Sequence, residues 1–210
     1  MTDSDRSGSA PSSRSSSASP VDGPRPRTAF VLTASDRSAA GRRDDASGAG
    51  IAERLEELGF TVERSVVGDE QATIEGALRG AAEHHPLIVT TGGTGLTPRD
   101  VTPQATLAVV DYEVPGLAEA MRADGRLKTP FASLSRGVVG VVGRTLVVNV
   151  PGSPTGALES LEAIVPVLEH AMETLAGPFD HATGNAPVDS TENQHAFGRD
   201  VPPMRSGEDV

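Results

Sequence analysis

Between Thr28 and Phe179 the apolar residues fall into two alternating patterns: short unbroken aliphatic runs, and longer stretches with one apolar residue every three or four positions. The runs Thr28 to Thr33 (TAFVLT), Thr61 to Val67 and Leu87 to Thr90 (LIVT) predict strands, since each is short and rich in β-branched or aliphatic residues. Between them, Gly48 to Leu58 sets Ile51, Leu55 and Leu58 on one helical face before a stop at Gly59. Thr73 to Glu83 does the same with Ile74, Ala77, Leu78 and Ala81. Pro103 opens a predicted helix running to Val110, because a proline in first position gives up an amide that has no partner there anyway. Leu117 to Ala123 predicts another helix. The β-branched runs Val138 to Val142 and Thr145 to Asn149 are separated by Gly143-Arg144, the spacing of a two-residue hairpin. Last, Thr155 to Leu175 carries Leu158, Leu161, Ile164, Val165, Leu168 and Met172 on one face, and Pro166 within it predicts a kink or a fresh helix start.

Repeated strand–helix–strand alternation predicts an α/β fold, a mostly parallel sheet with helices on both faces and an antiparallel edge supplied by the late hairpin. In such sheets ligands sit outside the carboxyl ends of the strands. Four polar loops follow predicted strands, Ala34 to Ser47, Gly68 to Ala72, Thr91 to Thr102 and Pro151 to Gly156, and all are expected to meet at that edge.

The ends of the 210-residue chain differ from its middle. Residues 1–27 are mostly Ser, Pro, Gly and Arg, and residues 180–210 are polar with scattered prolines and an acidic excess. Neither holds enough apolar surface to offset the entropy of ordering it, so both are expected to be disordered tails, dispensable for folding, around a domain at 28–179. No secretory signal or membrane span is legible. The absence of cysteine fits a reducing cytoplasm. A formal charge of −11 repels a phosphate backbone, and 3% aromatic content leaves little base-stacking surface, so nucleic acid is not an expected partner. An anionic ligand needs local compensation, for which Arg37, Arg99 and Arg136, backbone amides or a divalent cation are candidates. The five histidines have no metal-ligand spacing and are expected on the surface.

Candidate chemistry concentrates in Thr90 to Asp100, TTGGTGLTPRD. Glycine there permits a sharp turn and close approach to a ligand, and the amides and hydroxyls of Thr91, Thr94 and Thr97 can donate to phosphate oxygens; a tight strand-to-helix connection fits equally. The stretch is not a P-loop, since Gly95 is followed by Leu96 and Thr97 with no lysine. Nor is it a dinucleotide fingerprint, since Gly93-Thr94-Gly95 is followed by Leu96, Thr97 and Pro98. Ser153 in Val150 to Gly156 is not a nucleophile elbow, its glycines standing at the wrong offsets.

Taken in order, Ser35-Asp36-Arg37 with Gly41 and Asp44 or Asp45, then Asp69-Glu70, Thr91-Gly92-Gly93-Thr94-Gly95 with Arg99-Asp100-Val101-Thr102-Pro103, and Asn149-Val150-Pro151-Gly152-Ser153-Pro154 resemble the molybdenum-cofactor biosynthesis family. That family includes molybdopterin adenylyltransferases, MoaB-type proteins and the G domain of gephyrin. The resemblance implies a trimer that binds molybdopterin and ATP with Mg²⁺, transfers AMP to the phosphate of molybdopterin and releases pyrophosphate, the product then serving a molybdenum-insertion protein. It implies substrate contacts at Ser35, Asp36, Thr91, Gly92, Gly93, Thr94, Gly95, Arg99, Pro151, Gly152 and Ser153, the last two closing the pterin side. Gln104 stands where the family commonly has an acidic residue, and Gly68 where proline is frequent.

Phosphate attack on phosphate gathers negative charge, so the site needs donors, a cation and carboxylates to hold it. Asp69 and Asp100 follow the second and third strands and are the expected catalytic and metal-holding residues. Helix capping is the competing reading for both, with an Arg99 ion pair a further alternative for Asp100. A MoaB-type binding protein without catalysis, and a nucleotide pyrophosphatase of the competence-damage type, are the other classes to be separated.

Overall fold

The computed structural model describes residues 27–177, so apart from Arg27 the two expected tails lie outside the described residues. Strand β1, Thr28–Ala34, organises the sheet. It pairs in parallel with β2 (Thr61–Val67) on one side, Thr28 opposite Thr61, and with β3 (Leu87–Thr91) on the other, Ala29 opposite Leu87. Successive side chains of a strand point to opposite faces. Ala29 and Val31 accordingly join one core with Leu87, Val89 and the helix residues Ile51 and Leu55, while Phe30, Leu32 and Ala34 join another with Ile88, Ile74 and Leu78.

The helices covering the first face are α2 (Ala46–Glu57), α5 (Pro115–Lys128), α6 (Pro154–Glu162) and α7 (Val165–Ala176); α3 (Gln71–Ala82) and α4 (Thr102–Leu107) cover the second. Helix α2 starts earlier than the apolar spacing predicts because the Asp45 carboxylate accepts the Gly48 amide at 2.9 Å and so caps the first turn. Pro103 lies second in α4, one position later than expected. The closing apolar face is two helices, the second carrying Pro166 in its first turn where its missing amide does no harm. Two short elements fall in stretches expected to be irregular: the one-turn α1 at Asp36–Ala39, and a 3-10 turn at Pro130–Leu134.

Six strands run in the order β2-β1-β3-β6-β5-β4, where β5 is Val139–Val142, β6 is Thr145–Val150 and β4 is Tyr112–Glu113. The expected hairpin is present, with Val142 opposite Thr145 across Gly143-Arg144. It is not itself the edge. Strand β6 lies inside the sheet, parallel to β3, and β4 covers β5 in antiparallel pairing. One histidine departs from the surface expectation: His85 is largely buried, its ring tilted against Phe30 with centroids 5.5 Å apart and Nε2 3.3 Å from Glu63. His181 and His195 lie outside the described residues.

The order β2-β1-β3 has a functional consequence. From β1 the chain leaves toward α2 on one face, and from β3, its neighbour, it leaves toward α4 on the other. Adjacent parallel strands whose connections diverge open a crevice at their carboxyl ends.

Candidate active site

The loops after β1, β2, β3 and β6 meet at that crevice, and glycine is what lets them touch. Gly92 has φ +94°, and a Cβ built on it would lie 2.3 Å from the carbonyl oxygen of Ala34. Gly93, at φ +62°, would meet the buried Thr102 hydroxyl at 2.4 Å, and a Cβ on Gly152 would approach the Gly92 Cα to 3.0 Å. The loops after β1, β3 and β6 are thereby in near backbone-to-backbone contact.

Within this frame the expected hydroxyl donors serve the protein first. The buried Thr91 hydroxyl donates to the Pro151 carbonyl at 2.7 Å, tying β3 to the loop after β6. Thr97 donates its hydroxyl at 2.6 Å and its amide at 2.8 Å to Asp100. Thr94 is buried. In this structure the Thr91 and Thr97 hydroxyls are thus engaged within the protein, where both brace the loop. Ser35 and Ser153 cap α1 and α6, accepting the Ser38 and Gly156 amides at 3.3 Å each, and both also line the crevice.

The carboxylates are placed differently from either capping alternative. The Asp36 amide donates to Asp69 at 2.9 Å, and the Asp69 amide donates back to Asp36 at 3.0 Å, so the loops after β1 and β2 clasp each other. Residue Glu70, not Asp69, precedes α3. The second carboxylate oxygen of Asp36 binds the Arg99 guanidinium, so Arg99 pairs with Asp36 and not with Asp100. The Asp69 amide, and after it Arg99, hold the Asp36 carboxyl below the usual aspartate range. For Asp100, burial pushes the pKa up but is outweighed by the Thr97 hydroxyl and amide, the Gly95 amide and the charge of Arg136; the net direction is down. Both groups are ionised at neutral pH.

Two cavities flank these residues. A polar cleft of about 580 Å³ is lined by Ser35, Asp36, Asp69, Thr91, Gly92, Arg99 and Asp100, with Arg37 and Arg43. An adjoining cavity of about 390 Å³ is more apolar, lined by Ala118, Met121, Phe131 and Leu134 together with Thr94, Gly95 and Pro151. Gly93, Asp100, Gly152 and Ser153 line both. All the sequence-predicted site residues thus line one or both of these adjoining cavities. Among the described residues no group of three or more His, Asp or Glu side chains is arranged to hold a metal alone. Magnesium that keeps phosphate oxygens as ligands needs only one or two carboxylates, and Asp69 and Asp100 line the same cleft, so the residues present fit that ion.

The walls of the apolar lobe, α5 and the 3-10 turn, were not legible as site residues, since their sequence carries only helix periodicity and a proline. Asp45 had a signal, standing in the motif after Ser35-Asp36-Arg37. It accepts from Thr33 (2.9 Å), Arg64 (2.8 Å) and Gly48 (2.9 Å), which fixes the far end of the β1 loop. Burial raises its pKa, and the bonds from Arg64, Gly48 and Thr33 together lower it further than burial raises it. A depressed carboxyl pKa contributes stability that is present above the unfolded value, about 4, and lost as pH falls through the folded one. Asp45→Ala should therefore cost about 1–2 kcal/mol at neutral pH. Urea unfolding at successive pH values should show this deficit shrinking below about pH 4.

Residues 30–170 match the family model described as a probable molybdopterin binding domain. The chain belongs to that family. It is 38% identical over 156 residues to the molybdopterin adenylyltransferase of Helicobacter pylori strain J99, covering 71% of this chain and 88% of that one. Among solved structures it is similar to the molybdopterin biosynthesis enzyme MoaB of Thermus thermophilus, with 52% identity, coverage of 71% and 96%, and a TM-score of 0.68. The molybdopterin biosynthesis Mog protein of Mycobacterium ulcerans is also similar, at 45% identity, coverage of 71% and 99%, and a TM-score of 0.67.

Proposed function

We propose that the chain is a molybdopterin adenylyltransferase, a nucleotidyltransferase of molybdenum-cofactor biosynthesis. A phosphate oxygen of molybdopterin attacks the α-phosphorus of ATP, the bond from that phosphorus to the oxygen bridging to the β-phosphate breaks, and pyrophosphate leaves. The observation that carries this reading is the two-lobed site. An apolar lobe suited to a flat ring and a polar lobe suited to phosphates share the wall formed by Gly93, Asp100, Gly152 and Ser153, so groups bound in each meet beside Asp100. Adenylyltransferase relatives at this level of identity support the same activity.

The roles follow from chemistry. Arg99, with Arg37 and Arg43 on the same wall, draws polyphosphate into a domain that is otherwise acidic. Glycines 92, 93 and 152 let the loops that wall the site pack backbone against backbone, and the Pro151 carbonyl, held by Thr91, fixes the loop after β6. Asp69 and Asp100 would hold magnesium brought with ATP, which supplies charge neutralisation at the phosphates.

The likeness to MoaB favours, as a second reading, a molybdopterin-binding protein with the same pocket and no transfer. Incubation with molybdopterin, ATP and Mg²⁺ separates the classes. A transferase releases pyrophosphate stoichiometric with molybdopterin, a binding protein releases none, and a hydrolase of nucleotides releases it without the pterin.

The reading includes a homotrimer in the cytoplasm that hands its product to a molybdenum-insertion protein. Leu127 of α5, which lines neither lobe, is an exposed apolar residue of a kind that association would cover. Light scattering at micromolar concentration should give three times the chain mass; a monomer mass refutes the trimer, and a hexamer favours the MoaB-like branch. No helix among the described residues is long and apolar enough to cross a membrane.

A further inference from the structure

We propose that Arg136 is the positioning residue for Asp100, holding the Thr94–Asp100 loop closed from behind; its kinetic consequence rests on the transferase reading, its structural consequence does not. Arg136 stands between the 3-10 turn and β5. Its amide donates to the Thr94 carbonyl at 3.0 Å, its Nε to the Gly95 carbonyl at 2.6 Å, and its Nη2 to the carbonyl of Asp100 itself. One residue therefore grips both ends of a seven-residue loop that has no helix or strand of its own. Inside the loop the Asp100 carboxylate holds Thr97 by amide and hydroxyl. The residue after Arg136 is fixed in turn, since Arg122 of α5 donates to the Gly137 carbonyl at 2.9 Å.

The same geometry takes Arg136 out of the set of substrate-binding cations. Its neighbours Ser135 and Gly137 line the apolar lobe, but Arg136 lines neither lobe, and its guanidinium is engaged by two main-chain carbonyls. Such a grip needs the planar fork of arginine, because a lysine ammonium is a single point that cannot reproduce both directions. Fork and charge are separable by substitution.

The test uses the full chain, with Arg136→Lys retaining charge without the fork and Arg136→Gln retaining neither. Amide hydrogen exchange without substrate should show the Thr97 and Gly95 amides exchanging at least about tenfold faster in both variants, while those of β1, β3 and β6 stay within about threefold of wild type. With molybdopterin, ATP and Mg²⁺, Arg136→Lys should lower kcat about 100-fold with little change in KM for ATP, the signature of a misplaced group and not of lost binding. Unchanged exchange at Thr97, or strands losing protection together with the loop, overturns the assignment. So does a Lys variant whose kcat stays within threefold of an active wild type. A wild type that transfers no AMP defeats the transferase reading instead, and the exchange measurement still decides the role of Arg136.

Discussion

Asp100→Asn should lower pyrophosphate release at least about 100-fold at saturating ATP and Mg²⁺, while molybdopterin binding stays within a few-fold of wild type. Asp100 lines both lobes of the site, and its carboxyl is held ionised by the Thr97 and Gly95 donors despite partial burial. The substitution removes one negative charge but keeps an oxygen that can accept from Thr97, so the loop has no reason to open. Loss of charge is then felt where the cation and the phosphates are held. Asp69→Asn should behave likewise, since an amide oxygen can still accept the Asp36 amide across the clasp between the first two loops. Near-normal turnover in Asp100→Asn at saturating Mg²⁺ would remove Asp100 from the chemistry. A variant that unfolds would instead make these carboxylates loop staples.

The convergence of three of the four loops was legible because it follows from alternation alone: once strands 28–33, 61–67 and 87–90 are parallel, their following loops share an edge, and the loop after β6 joins them because β6 runs parallel to β3. The broken closing helix was legible through Pro166. What the loops do to one another was not. Thr91 looked like a phosphate donor because sequence displays a hydroxyl without its competitors, and the competitor, the Pro151 carbonyl, lies 60 residues away. Asp36 and Asp69 were chosen separately, yet their reciprocal amide bonds span 33 residues and make them one unit. Strand β4 has two exposed residues, too few for any periodicity to register. Arg136 was a candidate for meeting a ligand by its charge, whereas its geometry, two carbonyls at the angles of one guanidinium, gives it a different task.

That division leaves cationic side chains lining the polar cleft of an otherwise acidic domain. Of the arginines singled out for compensation, Arg136 is used in building the loop, whereas Arg37 and Arg99 line the polar cleft. Arg99 is held over the cleft by Asp36, an exposed pair of the kind that contributes little to stability. The pair's value lies in where it holds the charge.

Gly92→Ala should be among the most damaging single-methyl changes in the site. The added Cβ would lie 2.3 Å from the Ala34 carbonyl oxygen, a main-chain atom at the end of an interior strand, paired there with β2, that cannot move aside as a side chain would. Its φ of +94° adds backbone strain for any residue with a Cβ, of order 1–2 kcal/mol. Overpacking adds about 1–3 kcal/mol more. Together these amount to about 3 kcal/mol, which for a domain of this size lowers the unfolding midpoint by roughly 6–12 °C. Transfer should fall as well, because β1 and β3 must separate where the two lobes meet. Gly76→Ala is the matching control: it lies within α3, nothing would meet its Cβ within 4 Å, and it should raise stability by about 0.5–1 kcal/mol. Calorimetry of the two variants beside wild type decides the matter. A Gly92→Ala midpoint equal to that of wild type would mean that the contact between β1 and the glycine loop is not what closes the crevice.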